Sequence, residues 1–278
     1  MLPEQATPAS RIRFDFARRF AEACPPDLAE EIAVSGSVAR GWSDDDSDVE
    51  LNLWTSNLPS AEARAAWMAG LGIIALDIEP EARDDDSWWI GGEFQGIPVE
   101  FGWQTYEALD RTCERLLSGT VTDRGFTFLA DLLLHVISLR ETGALAERQA
   151  RMRDMPERVQ RALTTAALTG FKPGHLDSLR RLALRGETLA LDAALLSDLD
   201  AALRLIYAAH KRWMPSRKWS QTAALEFAPA DWLTRFDAAL RPIDPLERIE
   251  AVRRLVRDAL YAIPCYIDVG AALAAWEG

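Results

Sequence analysis

Two acidic residues of this sequence have the spacing of metal ligands. Asp48 directly precedes the segment VELNLW, and Glu50 lies within it; the segment alternates apolar and polar residues as a half-buried strand does. Side chains two residues apart on a strand share a face, so the two carboxylates project together. Neighbouring carboxylates repel each other, and a divalent cation relieves that repulsion. Magnesium prefers oxygen ligands, so this spacing predicts a magnesium site.

A third acidic residue, Glu100, interrupts the apolar segment IPVEF. If Val99 and Phe101 face the core, Glu100 points to the opposite face, where we expect the acidic pair. Three such acids would hold two metal ions about 3.5–4 Å apart on either side of an in-line attack on phosphorus. Glu100 would also accept the proton of the attacking hydroxyl. The acidic runs 44–46 and 84–86 are expected to be solvated turns rather than further ligands.

A turn of small residues precedes the acidic pair. Gly36 and Ser37 follow the short apolar run EIAVS, which is typical of a strand entering a tight turn. Glycine lets the backbone turn sharply and leaves room for a phosphate to approach. Ser37 adds a hydroxyl, and the N–H groups of a helix starting there would point at anionic oxygens. The sequence therefore predicts a phosphate-binding loop next to the metal site.

Helices and strands that could position these residues follow from hydropathy and turn signals. Alternation and short apolar runs predict strands, and Gln95-Gly96 predicts a hairpin turn between the last two of them. Three-to-four spacing and the N-cap residue Ser60 predict two helices. The predicted strands are 31–35, 49–54, 73–78, 87–94 and 97–103, and the predicted helices are 10–24 and 60–68.

The second half of the chain has a different pattern. Long segments rich in Ala, Leu and Arg repeat at three-to-four spacing, which favours helices. Examples are the segments 126–139, 156–169, 189–209 and 249–262. We therefore predict an α+β protein in which a mixed sheet flanked by helices, residues 1–118, precedes an all-helical bundle, residues 119–278.

The order Gly36-Ser37, Asp48-x-Glu50 and Glu100 resembles the DNA polymerase β-type nucleotidyltransferase superfamily. The stretch GSVARGWSDDDSDVEL is similar to that signature almost position by position, including Arg40. Within the superfamily the pattern is most similar to the antibiotic nucleotidyltransferases, notably the kanamycin-type enzyme. The resemblance covers about 70 residues strongly. It implies a polymerase-β-like fold, magnesium bound by the three acids, and Ser37 in contact with a triphosphate. Arg40 is a further candidate for holding the phosphates.

A basic segment in the second half has two interpretations. Residues 210–219 concentrate positive charge in an otherwise acidic chain. In related two-domain nucleotidyltransferases a lysine of the helical domain commonly reaches the triphosphate. The resemblance makes Lys218 the first candidate for that role and Lys211 the second. Alternatively, the segment is a solvated helix end whose cations interact favourably with the C-terminal dipole.

Composition limits the partners. The formal net charge is −12, so extended nucleic acid is an unfavourable partner, whereas a cationic small molecule would suit the surface. Three scattered cysteines and three scattered histidines lack metal-ligand spacing, which indicates reduced thiols and a cytoplasmic location. No apolar run approaches the roughly 18 residues needed to cross a bilayer.

These observations predict a magnesium-dependent nucleotidyltransferase. It would transfer a nucleoside monophosphate from a nucleoside triphosphate to a hydroxyl and release pyrophosphate. We expect the donor to be ATP, which would transfer AMP, or another nucleoside triphosphate. An aminoglycoside-like acceptor fits the acidic charge and the motif resemblance. A protein side chain, as in nucleotidylating antitoxin or regulatory enzymes, is the alternative acceptor. A non-catalytic nucleotide-binding module is the alternative of a different class, and the intact acid trio speaks against it.

Overall fold

The computed structural model describes residues 1–78, 87–241 and 244–277; the acidic run 84–86 lies outside them. The chain forms two compact units. Unit 1 is Met1–Glu114 and Leu132–Arg153, and unit 2 is Arg115–Asp131 and Asp154–Gly278. The predicted domain boundary after residue 118 stays a prediction. Residues 132–153 belong to the same unit as the N-terminal sheet.

The strands of unit 1 form one mixed sheet of six strands in the order β3-β4-β5-β2-β1-β6. Neighbouring strands are antiparallel except β2 and β5, which run parallel. Their bounds are β1 Glu31–Val34, β2 Val49–Thr55, β3 Ile74–Ile78, β4 Ser87–Phe94, β5 Ile97–Thr105 and β6 Ile137–Arg140. The five strands predicted from the sequence are confirmed, and β6 is an addition.

The helices alternate with these strands and then fill the rest of the chain. The first are α1 Pro8–Ala23, α2 Gly36–Arg40, α3 Ala61–Gly70, α4 Tyr106–Ser118, α5 Arg124–His135 and α6 Ala144–Arg153. The others are α7 Glu157–Leu168, α8 His175–Leu184, α9 Thr188–Ala209, α10 Ser220–Ala224, α11 Ala230–Ala239, α12 Pro245–Tyr261 and α13 Gly270–Glu277. A sheet with flanking helices followed by a helical part is the predicted α+β class, which is confirmed.

Local signals explain where several of these elements begin and turn. The Thr7 side chain caps α1 by accepting a hydrogen bond from the Ser10 backbone N–H, and Ser60 caps α3 in the same way. Gln95 and Gly96 both have positive φ, 53° and 80°, as the two central residues of a type I′ turn do. The predicted hairpin of β4 and β5 therefore has the turn geometry that matches strand twist.

One face of the sheet packs against helices to form the core of unit 1. The side chains of Val49, Leu51, Val99 and Phe101 are at most 1% exposed. Phe101 meets the Trp67 ring of α3 edge-on, with ring centroids 5.2 Å apart. Strand alternation then leaves Glu50 and Glu100 on the opposite face.

The helix predicted over residues 126–139 is wrong in its last part, which forms a strand. Helix α5 ends at His135, and Ile137–Arg140 forms β6, which pairs antiparallel with β1 at the edge of the sheet. The Arg140 guanidinium donates to the backbone carbonyls of Ala29, Ala21 and Cys24, which ties β6 to the end of α1 and the following loop. Among the described helices, none combines the length and apolarity that a membrane crossing requires.

Candidate metal centre

The three predicted acids lie together. Asp48 directly precedes β2, Glu50 is on β2, and Glu100 is on β5. Glu50 and Glu100 are register partners in the parallel pair, so their side chains leave the sheet side by side. One carboxylate oxygen from each of the three residues lies within 4.8 Å of the others, and all three residues are half-buried. Three carboxylates at this separation could hold a metal ion.

Electrostatics favours a cation at this position. Unit charges about 4 Å apart interact by about 1 kcal/mol in water and about 4 kcal/mol at an effective dielectric constant near 20. Three carboxylates within 4.8 Å of one another repel each other when charged, and a cation bound between them relieves that repulsion. The donor set consists of hard carboxylate oxygens, the ligands that magnesium prefers, and among the described residues no histidine or cysteine joins it. The residues present therefore fit magnesium.

Gly36 lies directly against the Glu50 carboxylate. Its φ is +61°, a conformation that residues with a Cβ rarely adopt. A Cβ built there would lie 2.1 Å from Glu50 Oε2 and 2.7 Å from Glu50 Cδ. The sequence predicts that this glycine leaves room for a phosphate. In the structure, the group that fills the space beside it is the side chain of a candidate metal ligand.

A hydrogen-bonded pair that the sequence pattern did not reveal holds Glu50. The Ser35 hydroxyl donates to Glu50 Oε2 at 3.2 Å, and the Asn52 side-chain amide donates to the Ser35 hydroxyl at 2.8 Å. Ser35 is 2% exposed, so water competes little for these bonds. Alternation along β2 is the one signal that could have pointed to Asn52, because it shares a face with Glu50.

We expect Ser35→Ala to weaken metal binding about tenfold. Outer-shell partners of metal ligands orient the ligand, and their loss typically costs about 10- to 100-fold in affinity or activity. The measurement is a magnesium titration by calorimetry with Ser56→Ala as the control, because Ser56 is an exposed serine just after β2. Equal affinities in the two variants would remove the positioning role of Ser35.

The acidic turn before Asp48 is held from helix α1. The Arg13 guanidinium, 4% exposed, donates to the backbone carbonyls of Ser47 and Asp45 at 2.6 and 2.7 Å. A hydrogen bond from the Ser47 hydroxyl lowers the pKa of the exposed Asp44 carboxyl. Residues 44–46 are exposed and do not join the acid cluster. They form an exposed acidic turn, as predicted, and Arg13 holds that turn through its backbone carbonyls.

The predicted phosphate loop forms the short helix α2. The Ser37 side chain is buried, and its hydroxyl shares a hydrogen bond with the Ser43 hydroxyl at 3.1 Å. The Arg40 guanidinium, also buried, lies over the Trp42 ring, 5.0 Å from its centroid. The phosphate-binding roles of Ser37 and Arg40 stay predictions.

A tryptophan lies beside the acids on the same face of the sheet. Trp89 of β4 is the register partner of Gly102, which lies two residues after Glu100 on β5. A Cβ at Gly102 would lie 2.3 Å from the Trp89 ring, so this glycine makes room for the ring to lie across β5. The sequence does not single out Trp89 among the ten tryptophans, because the signal is its cross-strand partner.

The two predicted lysines belong to unit 2, whereas the acids belong to unit 1. Lys211 follows the end of α9, with φ of +52°, and its side chain is exposed. Lys218 is also exposed, in the turn before α10, with its Nζ 5.9 Å from the centroid of the Trp219 ring. Each is placed at a helix boundary, and triphosphate binding by either stays a prediction.

Comparisons with known proteins give a family match over part of the chain and a similar solved structure. A family model described as a domain of unknown function, DUF4037, matches residues 129–220, a range that contains both lysines and none of the three acids. No curated protein matches the chain. Among solved structures, the chain is similar to a nucleotidyltransferase-like protein from Exiguobacterium sibiricum 255-15. The TM-score is 0.43 at 14% identity, over 90% of this chain and 76% of that chain.

Proposed function

We propose that this protein is a magnesium-dependent nucleotidyltransferase. The observation that carries the proposal is the pairing of Glu50 with Glu100 in the parallel strands, with Asp48 beside them. Gly36, which opens α2, is packed against Glu50. A sheet-borne carboxylate cluster next to a Gly-Ser turn is the arrangement that the resemblance to polymerase β-type enzymes implies. Magnesium would supply charge neutralisation at the phosphates of a nucleoside triphosphate.

Each residue of the site has a task in that reaction. Asp48, Glu50 and Glu100 would hold the metal, two ions in the arrangement proposed here. Glu100 would also take the proton from the acceptor hydroxyl, which then attacks the α-phosphorus as pyrophosphate leaves. Ser37 would bind the triphosphate. Catalysis of this kind consists mostly of positioning and charge neutralisation, which suits ligands fixed on paired strands.

A cationic small molecule is the acceptor class that we propose. The chain carries a net charge of −12, which attracts polycations and repels nucleic acid at long range. An aminoglycoside offers hydroxyl groups on a polycationic frame. ATP is the proposed donor, so the product would be the adenylylated acceptor together with pyrophosphate.

The test is release of pyrophosphate from ATP and magnesium across a panel of acceptors that includes kanamycin and an uncharged sugar. We expect Asp48→Asn to lower the rate at least about 100-fold, since it removes a metal ligand. Asp46→Asn makes the same chemical change on the neighbouring exposed turn and is expected to leave the rate unchanged. Metal-independent ATP binding without pyrophosphate from any acceptor would favour a non-catalytic nucleotide-binding module instead.

A further inference from the structure

A small cavity inside unit 2 is lined by arginines. It has a volume of about 30 Å³, and its walls include Arg124, Arg204, Arg212, Thr127, Trp213 and Met214. The volume exceeds the roughly 10–15 Å³ that one water needs, so the cavity admits one small polar group. Among the described residues that line it, none is acidic. The cavity therefore presents an excess of positive charge in a chain whose net charge is negative.

One carboxylate is shared between two of these arginines. The Asp200 carboxylate pairs with Arg124 through one oxygen and with the Nε of Arg204 through the other, at 2.9 Å for the second contact. One negative charge cannot neutralise two guanidinium groups, and Arg212 adds a third at the wall. The three arginines and Asp200 together carry a net charge of +2. An anion would restore neutrality.

The Arg124 guanidinium has donors that could bind a ligand. Its side chain is 10% exposed, and its Nε and Nη2 are buried without a hydrogen-bond partner in the part of the chain that the structure describes. Burial lowers the pKa of this guanidinium, an effect that Asp200 opposes and Arg204 reinforces. A buried donor without an acceptor is costly, and more so when it is charged. A ligand that supplies acceptor oxygens would remove that cost.

We propose that this cavity binds the phosphate group of a small-molecule ligand, with Arg124, Arg204 and Arg212 as its donors. Guanidinium groups bind phosphate oxygens in pairs of parallel hydrogen bonds, and the buried Trp213 and Met214 shield such bonds from water. A wider open depression shares Thr122 and Ala166 with the cavity, so the rest of a phosphorylated molecule has space outside. The site does not depend on the proposed function, since none of its residues belongs to the acid trio.

The experiment measures thermal unfolding and calorimetric binding of the full chain with inorganic phosphate. EDTA is present, and chloride keeps the ionic strength constant. We expect a saturable rise in melting temperature, because a ligand that binds the folded state stabilises it. Arg212→Gln is expected to weaken phosphate binding at least about tenfold, equivalent to about 1.4 kcal/mol. Arg180→Gln is the control, since it removes an exposed arginine from α8 in the same unit.

Arg212 is the residue to change because its side chain is exposed, so its replacement perturbs folding less than that of Arg124. Glycerol 3-phosphate in the same titration shows whether the natural ligand is a phosphorylated molecule or free phosphate. If glycerol 3-phosphate binds more tightly than inorganic phosphate, the ligand is a phosphorylated molecule. If the two bind equally, the ligand is free phosphate. The Asp48→Asn protein should bind phosphate as the wild type does. Absence of saturable binding, equal weakening in Arg180→Gln, or loss of binding in Asp48→Asn would overturn the proposal.

Discussion

Glu100→Gln is expected to make the metal-free protein more stable and to abolish its stabilisation by magnesium. The substitution removes one of three carboxylates that lie within 4.8 Å of each other. Relief of repulsion between half-buried charges is worth about 1 kcal/mol once solvent screening is allowed for, or about 2–4 °C in melting temperature for a chain of this size. Turnover should fall at least about 100-fold, because the variant lacks both a metal ligand and the proton acceptor.

The opposite signs of these effects make the measurement specific. A substitution that only damages the fold lowers the melting temperature with and without magnesium. A metal-ligand substitution instead raises the melting temperature of the metal-free protein and abolishes the further rise that magnesium causes. Glu93→Gln is the matched control. Glu93 pairs with Pro98, two residues before Glu100, and so lies on the same face of the sheet but outside the acid cluster. Thermal unfolding of both variants in EDTA and in magnesium decides the result. Stabilisation by magnesium that persists in Glu100→Gln would contradict a site built around a cation.

The acid trio was predictable because strand alternation determines which side chains share a face. A single acid between Val99 and Phe101 must leave the apolar face, and Glu50 obeys the same rule between Val49 and Leu51. Asp48 lies two residues before Glu50, directly before β2. The turn at Gln95-Gly96 was predictable for a similar reason, since its residue types match a defined backbone conformation. Local pattern is sufficient wherever the structural constraint is itself local.

Strand β6 was not predictable from local pattern. The segment from Phe126 to Leu139 has continuous helical spacing, with neither Gly nor Pro to divide it. The helix ends at His135, and the following residues form a strand because β1 offers an unpaired edge. Hydrogen bonds from Arg140 to three distant carbonyls then hold that strand in place. These contacts join segments that are far apart in the chain, so tertiary pairing overrides local preference.

The support of Glu50 was likewise outside the reach of periodicity. The hydrogen bonds from Asn52 to Ser35 and from Ser35 to Glu50 join β2 to the residue that follows β1 through side chains. Polar residues of this kind occur on many half-buried strands, and nothing in their spacing distinguishes a supporting network from a solvated face. The same is true of Gly36. The sequence shows why the turn needs a glycine, but it does not show that the Glu50 carboxylate occupies the space beside it.

Gly36→Ala is expected to destroy metal binding while Gly96→Ala preserves it. Both glycines have positive φ, +61° and +80°, so each alanine incurs the cost of a left-handed backbone, about 1–2 kcal/mol. No atom of the described residues lies within 4 Å of a Cβ at Gly96, whereas a Cβ at Gly36 would overlap the Glu50 carboxylate. Glu50 must then leave its position between Ser35 and Glu100. We expect magnesium affinity to fall at least about 100-fold in Gly36→Ala alone.

Shortening the displaced side chain provides the decisive control. Glu50→Asp retracts the carboxylate by one methylene, which gives the new methyl group space that Glu50 denies it. Combined with Gly36→Ala it should recover part of the lost stability, although the shortened carboxylate no longer reaches Ser35 as that of Glu50 does. A non-additive double-mutant cycle of this kind reports direct contact between the two positions. Calorimetric magnesium titration and thermal unfolding of the four proteins supply the cycle. Additive effects, or full affinity in Gly36→Ala, would show that the glycine serves the turn alone and that Glu50 needs no space from it.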